Sequence, residues 1–324
     1  MDLAARLWEL KERLDDKTYQ SDGYYYFNIY DPKEREIQAL NYHDRVVQHS
    51  LCDNVLAPFF EKRLIYDNCA CRKGKGTHFG MKRFTEFMRE HYKAHGADGW
   101  ILKADIRKYF PSIDHGVLLD RLRKKITDPD VMRLLETIVN GFNAETGKGL
   151  PMGNQTSQWF ALYYLDPVDR LIKEKLQIKH YTRYMDDMVL LHSDKDYLKE
   201  CLRQMRELCE NTLKLELNEK TQIFPIRNGV DYLGWHFYLT DTGKVVKKLR
   251  QSGKRRLKKR IKGLQKGYAA GKAGIEDIKM SMAATRGHLM HGHTYKLQKN
   301  ILDKTVFVRT TAQSEEEEKC KNEF

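Results

Sequence analysis

The chain has 324 residues and a formal net charge of +13, with 58 Lys or Arg set against 45 Asp or Glu. That length can bury a substantial core in two or three subdomains; no apolar run approaches a membrane span, and MDLAARLWELKERL lacks the hydrophobic stretch of a signal peptide. The six cysteines (Cys52, Cys69, Cys71, Cys201, Cys209, Cys320) have neither disulfide-framework nor zinc-finger spacing, which points to reduced thiols and a cytoplasmic, membrane-free protein.

In chain order, Leu3, Leu7, Leu10 and Leu14 share one face of a first helix with Asp2 placed to cap it. An aromatic strand, Tyr24 to Tyr30, precedes a turn and a second short strand in DPKEREIQAL. HDRVVQHSLCDNVLAPFFEKRL has helical periodicity up to Pro58, and CRKGKGTH is a basic glycine loop. Thr77 then caps a helix that turns Met81, Phe84, Phe87 and His91 inward and ends at Gly96. Residues 100–106 form a strand leading to Asp105, followed by helices near 116–126 and 129–141. The loop GKGLPMGNQTSQ opens a long helix over 157–176; a further helix covers 195–212, and strands pair around 221–239. Between Lys244 and Lys272 lie thirteen Lys or Arg and no acid, so the rest of the chain nets to about zero. Leu257, Ile261 and Leu264 fall at helical spacing in that run, which reads either as a solvated basic face or as a track for a phosphate backbone. Ser314 to Glu318 reads as a disordered acidic tail. Helices and strands alternate without βαβ regularity, which predicts an α+β fold with an antiparallel sheet.

The most informative segment is HYTRYMDDMVLLHSD. Two apolar, β-prone runs flank Asp186 and Asp187, leaving room for a tight hairpin with two acids at its tip. A bare Asp-Asp is most often a solvated turn. Adjacent acids at a packed turn repel unless a cation lies between them and something else, and hard Mg²⁺ prefers carboxylate oxygen. A two-metal site needs another acid, and Asp105, at the end of its own strand, is the natural third ligand. Asp114 reads instead as the cap of a helix beginning at His115.

WILKADIRKYFPSID, GLPMGNQTSQWFALYYLD, YTRYMDDMVLL, LNEKTQIF and DYLGWHF occur in the order of the palm motifs of reverse transcriptases, and the upstream DPKEREIQAL, DRVVQHSLCDNVLAPFFEKRL and ACRKGKGTH resemble prokaryotic finger motifs. The resemblance implies a right-hand polymerase: an N-terminal helix at 1–23, fingers at 24–99, a palm at 100–240 with a finger insertion near 115–150, a basic helical thumb at 241–310 and a tail at 311–324. It implies two Mg²⁺ ions, with Mn²⁺ as a substitute, on Asp105, Asp186, Asp187 and the Ile106 carbonyl. Lys220 would protonate the leaving pyrophosphate, Lys33 and Arg35 would grip the dNTP, and Phe110 would sit under its sugar. Gly153, Ser157 and Gln158 would shape the template and nucleotide pocket. Leu233, Gly234 and Trp235 would meet the primer, and Arg255, Arg256, Lys258 and Lys259 would line the duplex.

The apolar residue before Gly153, the Ser157-Gln158 pair and the TRGHLMHGHTYKLQKNI segment are similar to diversity-generating retroelement enzymes. That resemblance implies copying of an RNA template from a DNA or RNA primer, with errors at template adenines and with an accessory protein. His288, His291 and His293 read as packing and RNA contacts rather than metal ligands. A defence-type or retron-like reverse transcriptase is the alternative. An idle RNA-binding scaffold fits less well, since it has no need of acids beside phosphate.

Overall fold

A computed structural model describes residues 3–30 and 34–309. Asp2, Lys33 and the acidic tail lie outside these residues. The chain divides into two compact units, the first formed by residues up to Phe87 and from Gly99 to Phe224, the second by Met88–Asp98 and the residues from Pro225 onward. The second unit therefore takes in the strands after Pro225, not only the helices expected from 241.

In the first unit, α1 (Leu3–Asp15) buries Leu10 with Tyr19 and Val47, while Leu7 and Leu14 stay exposed, so the buried stripe is narrower than its leucine spacing predicts. β1 (Tyr24–Ile29) and β2 (Arg35–Leu40) pair as an antiparallel hairpin. α2 (Tyr42–Leu51) presents buried Asp44, which accepts hydrogen bonds from Tyr19 Oη at 2.7 Å, Ser21 Oγ at 3.1 Å and the Asp22 amide at 3.0 Å. Pro58 does not end the helical stretch: a π-helical turn (Cys52–Leu56) directly before it carries the helical backbone on into α3 (Ala57–Glu61) despite the N–H that proline lacks. α4 (Thr77–His95), whose residues from Met88 onward belong to the second unit, buries Met81, Phe84, Phe87 and His91 and stops at Gly96, which has φ +69.

β3 (Trp100–Ala104), α5 (Tyr109–Ser112) and α6 (His115–Arg123) follow. Asp114 caps α6 by accepting from the Val117 amide at 2.9 Å, and it pairs with Lys214 at 2.8 Å. α7 (Pro129–Asn140) is capped by Asp128. The long helix expected over 157–176 is instead α8 (Gln155–Tyr164) and α9 (Asp166–Arg170), with a π-helical turn over Leu171–Lys175. The break falls at Leu165 because Pro167 has no N–H for the Tyr163 carbonyl and its ring crowds that oxygen. β4 (His180–Tyr184), β5 (Asp187–His192), α10 (Lys195–Asn211) and β6 (Gln222–Pro225) complete this part, and the sheet runs β4-β5-β3-β6. β5 and most of β3 are apolar on both faces, and Leu102, Ala104, Met188 and Leu190 join Phe160 and Leu162 of α8 in the main core.

The second unit holds a three-stranded sheet, β7 (Val230–Tyr232), β8 (Trp235–Leu239) and β9 (Val245–Leu249), then α11 (Gln251–Ala269), α12 (Ile275–Leu289) and α13 (Tyr295–Leu302). The start of the basic run is thus a strand, since Val245 and Leu249 pack inward in alternation. On α11, Leu257 and Ile261 are buried and Leu264 half-buried, as its spacing requires. Gly292 lies flat on the buried Trp235 ring, where an added Cβ would fall 2.0 Å from a ring carbon.

Gly292→Ala is expected to destabilise the protein by about 2–3 kcal/mol through overpacking. Gly287→Ala, in α12 with open space around it, is expected to be neutral or stabilising by about 0.5–1 kcal/mol. Thermal unfolding of both variants checks the contrast.

Candidate active site

Tyr184 stands opposite Asp187 in the β4–β5 register, which leaves Met185 and Asp186 as a two-residue turn. Met185 takes φ +55, a left-handed conformation that costs a side chain energy and is tolerated where the surroundings enforce it. β5 also pairs with β3, Ala104 facing Met188, so the next step of the same register sets Asp105 beside Asp187. Two adjoining strand pairings thereby bring Asp105, Asp186 and Asp187 to one end of one sheet.

The acids are held from both sides. Asn218 donates from Nδ2 to Asp105 Oδ2 at 3.3 Å, and its amide donates to the Asp105 carbonyl at 2.7 Å. A bridge between Ile106 and Leu217 continues this contact through the Arg107 amide and the Glu216 carbonyl. Alternation along the chain then directs the Ile106 carbonyl away from Leu217. Lys103 Nζ lies 3.4 Å from Asp187. Burial, then the negative charges of Asp105 and Asp187, push the Asp186 carboxyl up to about 7.

Among the described residues no three acids, histidines or cysteines close into a preformed metal cage. The cluster is open and crowded with like charge, and hard divalent cations fit such an all-oxygen donor set. Asp105, Asp186 and Asp187 are the residues able to hold them.

Beneath the hairpin lies a buried network that pattern reading missed. Arg183, wholly buried, forks onto Asp169 of α9 at 2.7 and 2.5 Å and also donates to the carbonyls of Leu162 and Met185, each at 2.9 Å. The available signal was a charge among residues that otherwise read as core, Arg183 within the strand HYTRY and Asp169 in LDPVDRLI. Asn218 and Lys103 were missed too, because an amide or a lysine beside a motif looks like ordinary surface.

The remaining predicted residues are more scattered in role. Arg35 is exposed at the start of β2. Phe110 is half-buried and meets Tyr109 edge-on. Ser157 is buried and Gln158 exposed in the first turns of α8. Gly153, at φ +140, permits close approach to the Gln38 carbonyl of β2: a Cβ there would lie 3.0 Å from that oxygen. Lys220 is exposed, and its amide donates to Asn218 Oδ1 at 3.0 Å. In the second unit, Leu233 and Gly234 form a tight turn with positive φ at both positions. Trp235 is a correction: its ring is 1 % exposed and packs with His288 and Gly292, so it shapes this turn and cannot itself face a primer. His293 is likewise spent on packing, exchanging hydrogen bonds with the Lys247 backbone at 2.7 and 3.1 Å. Arg255, Arg256, Lys258 and Lys259 are exposed on α11.

A sheet whose hairpin presents paired acids beside a third from the neighbouring strand is the palm of a nucleotidyl-transferring polymerase in outline. Residues 31–237 match the reverse transcriptase (RNA-dependent DNA polymerase) family, and the chain belongs to it. It is 24% identical over 230 residues to protein YkfC of Escherichia coli K12, a match covering 59% of this chain and 60% of that protein. In structure it is similar to telomerase from Candida albicans, solved in complex with a TWJ fragment of telomeric RNA. That superposition has a TM-score of 0.51 at 12% identity and covers 87% of this chain and 55% of the telomerase chain. The chain thus spans somewhat over half the length of each. No helix among the described residues is long and apolar enough to cross a membrane, and the five described cysteines are free.

A carboxyl whose native pKa lies near 7 binds more protons folded than unfolded between about pH 4 and 7, so native stability falls across that window as pH rises. Without divalent cations, Asp186→Asn is therefore expected to be more stable than wild type at pH 7.5, by on the order of 2 kcal/mol. The gain should vanish below about pH 4, where the carboxyl is protonated in both states. Denaturant unfolding at the two pH values measures it.

Proposed function

We propose that this chain is an RNA-directed DNA polymerase that extends a DNA or RNA primer along an RNA template. The observation that carries the reading is the convergence of Asp105, Asp186 and Asp187 at one sheet end, inside the segment that matches the family. Two Mg²⁺ ions held there, or Mn²⁺ in their place, would activate the primer 3′-hydroxyl and neutralise the departing pyrophosphate. In this reading Lys33 and Arg35 grip the dNTP triphosphate, Phe110 packs under the sugar, and the Ile106 carbonyl faces the metal side. Gly153 sets the loop before α8, and Ser157 and Gln158 in the first turns of that helix shape the base and template pocket. Lys220, on the turn after Asn218, gives its proton to pyrophosphate. The Leu233-Gly234 turn meets the primer end, and the cations of α11 follow the backbone of the duplex, which is read by shape and phosphate.

The Ser157-Gln158 pair in the first turns of α8 favours a diversity-generating retroelement enzyme, working in the cytoplasm with an accessory protein and copying template adenines with errors. The first experiment is primer extension by purified protein on a heteropolymeric RNA with Mg²⁺ and dNTPs, every product being sequenced. Substitutions concentrated opposite adenine support the retroelement reading. Accurate or untemplated DNA points to a retron-like or defence role. Absence of product even with cognate RNA and accessory protein returns the chain to an RNA-binding scaffold.

Asp186→Asn is expected to lower primer extension by at least about a thousandfold while leaving RNA affinity within about twofold, as filter binding would measure. Neutralising Arg255, Arg256, Lys258 and Lys259 together is expected to flatten the salt dependence of RNA binding by roughly 3 units of log–log slope. An unchanged slope would leave that face merely solvated.

A further inference from the structure

The last carbonyls of a helix have no donors within it. At the end of α8 three of them accept from side chains of other elements: Ala161 from Tyr109 Oη of α5, Leu162 from Arg183 of β4 at 2.9 Å, and Tyr163 from Arg121 of α6 at 3.1 Å. Arg183 does more than terminate the helix. Its Nε and Nη2 fork onto Asp169, and Tyr181 Oη, on the same face of β4, donates to Asp169 Oδ1 at 2.6 Å. Its remaining nitrogen, Nη1, reaches the Met185 carbonyl at 2.9 Å. That carbonyl belongs to the peptide linking Met185 to Asp186, at the one residue of the turn with a left-handed backbone.

We propose that Asp169 and Arg183 form a positioning pair that fixes the Met185–Asp186 peptide and so aims the Asp186 carboxylate at its cation. The inference rests on the polymerase reading above. Two features distinguish it from plain stabilisation. A buried ion pair is commonly no more stabilising than apolar residues of similar volume, so stability alone does not call for one here. A lysine would neutralise Asp169, but only the planar fork of arginine can satisfy both carboxylate oxygens and still reach a turn carbonyl and a helix carbonyl. The charge of Asp169 orients the fork, the Leu162 carbonyl sets its depth, and the third nitrogen restrains a turn that would otherwise relax out of positive φ.

The test compares wild type with Arg183→Lys and with the double variant Asp169→Leu/Arg183→Met, which removes both charges while keeping volume. Two readouts are taken: Mn²⁺ titration followed by electron paramagnetic resonance without nucleic acid, and primer extension resolved into kcat and KM for dNTP. The double variant is expected to unfold near the wild-type temperature, to bind Mn²⁺ about tenfold more weakly and to lose at least about tenfold in kcat, with KM little changed. Arg183→Lys, which restores charge without the fork, should not rescue either value. Wild-type Mn²⁺ affinity and kcat in the folded double variant, or in Arg183→Lys, would overturn the proposal. If the double variant fails to fold, Arg183→Lys decides alone by the same two numbers. If wild type makes no DNA yet its Mn²⁺ affinity depends on the pair, the polymerase reading falls and the positioning role stands.

Discussion

Three carboxylates held at the end of one sheet repel one another, and much of the first unit is arranged around that repulsion. Asp186 sits on a turn too short to relax, and burial, then the charges of Asp105 and Asp187, push its carboxyl up to about 7. Such a cluster is a standing destabilisation until a cation arrives. The fold opposes the cost with structure that would be excessive for an ordinary hairpin: two flanking strands in fixed register, Asn218 on Asp105, Lys103 beside Asp187, and an arginine buried beneath the tip.

That architecture joins distant pieces of the chain. α8 and α9, broken by Pro167, place Asp169 under β4, and the carbonyls exposed by the break are taken up by Tyr109, Arg121 and Arg183. Segment 67–69 adds a further edge to β4, the Arg183 amide donating to the Asp67 carbonyl at 3.1 Å and the Cys69 amide to the Arg183 carbonyl at 2.8 Å. The basic glycine loop is thereby anchored to the same strand that carries the hairpin. The second unit solves a different problem. Its cations are spread over an exposed helix face, and its glycine and histidine motif is used internally, Gly292 and His288 packing on Trp235.

The hairpin and its acids were legible because strand alternation and turn chemistry are local: a residue pair flanked by β-prone runs has few other conformations open to it. The cap at Asp114 and the inward face of α4 were legible for the same reason. Misreadings arose where a single residue overrode a period. Pro167 split a helix whose apolar pattern runs on, a π turn carried the chain past Pro58, and the alternation of Val245 to Leu249 was hidden by the charges between them.

Periodicity and composition therefore decide that this chain is α+β and basic at one end, and they mark Asp105 as a strand-end acid able to join Asp186 and Asp187; the β3–β5 pairing is what brings it there. They do not decide the partner of Arg183, the burial of Trp235 or the neighbour of Gly153. Each of those depends on contacts between separate elements, 14 residues apart for Arg183 and Asp169 and dozens for Trp235 and Gly153, and a buried polar group takes whichever partner the packing delivers, so its role exists only once the chain has closed around it.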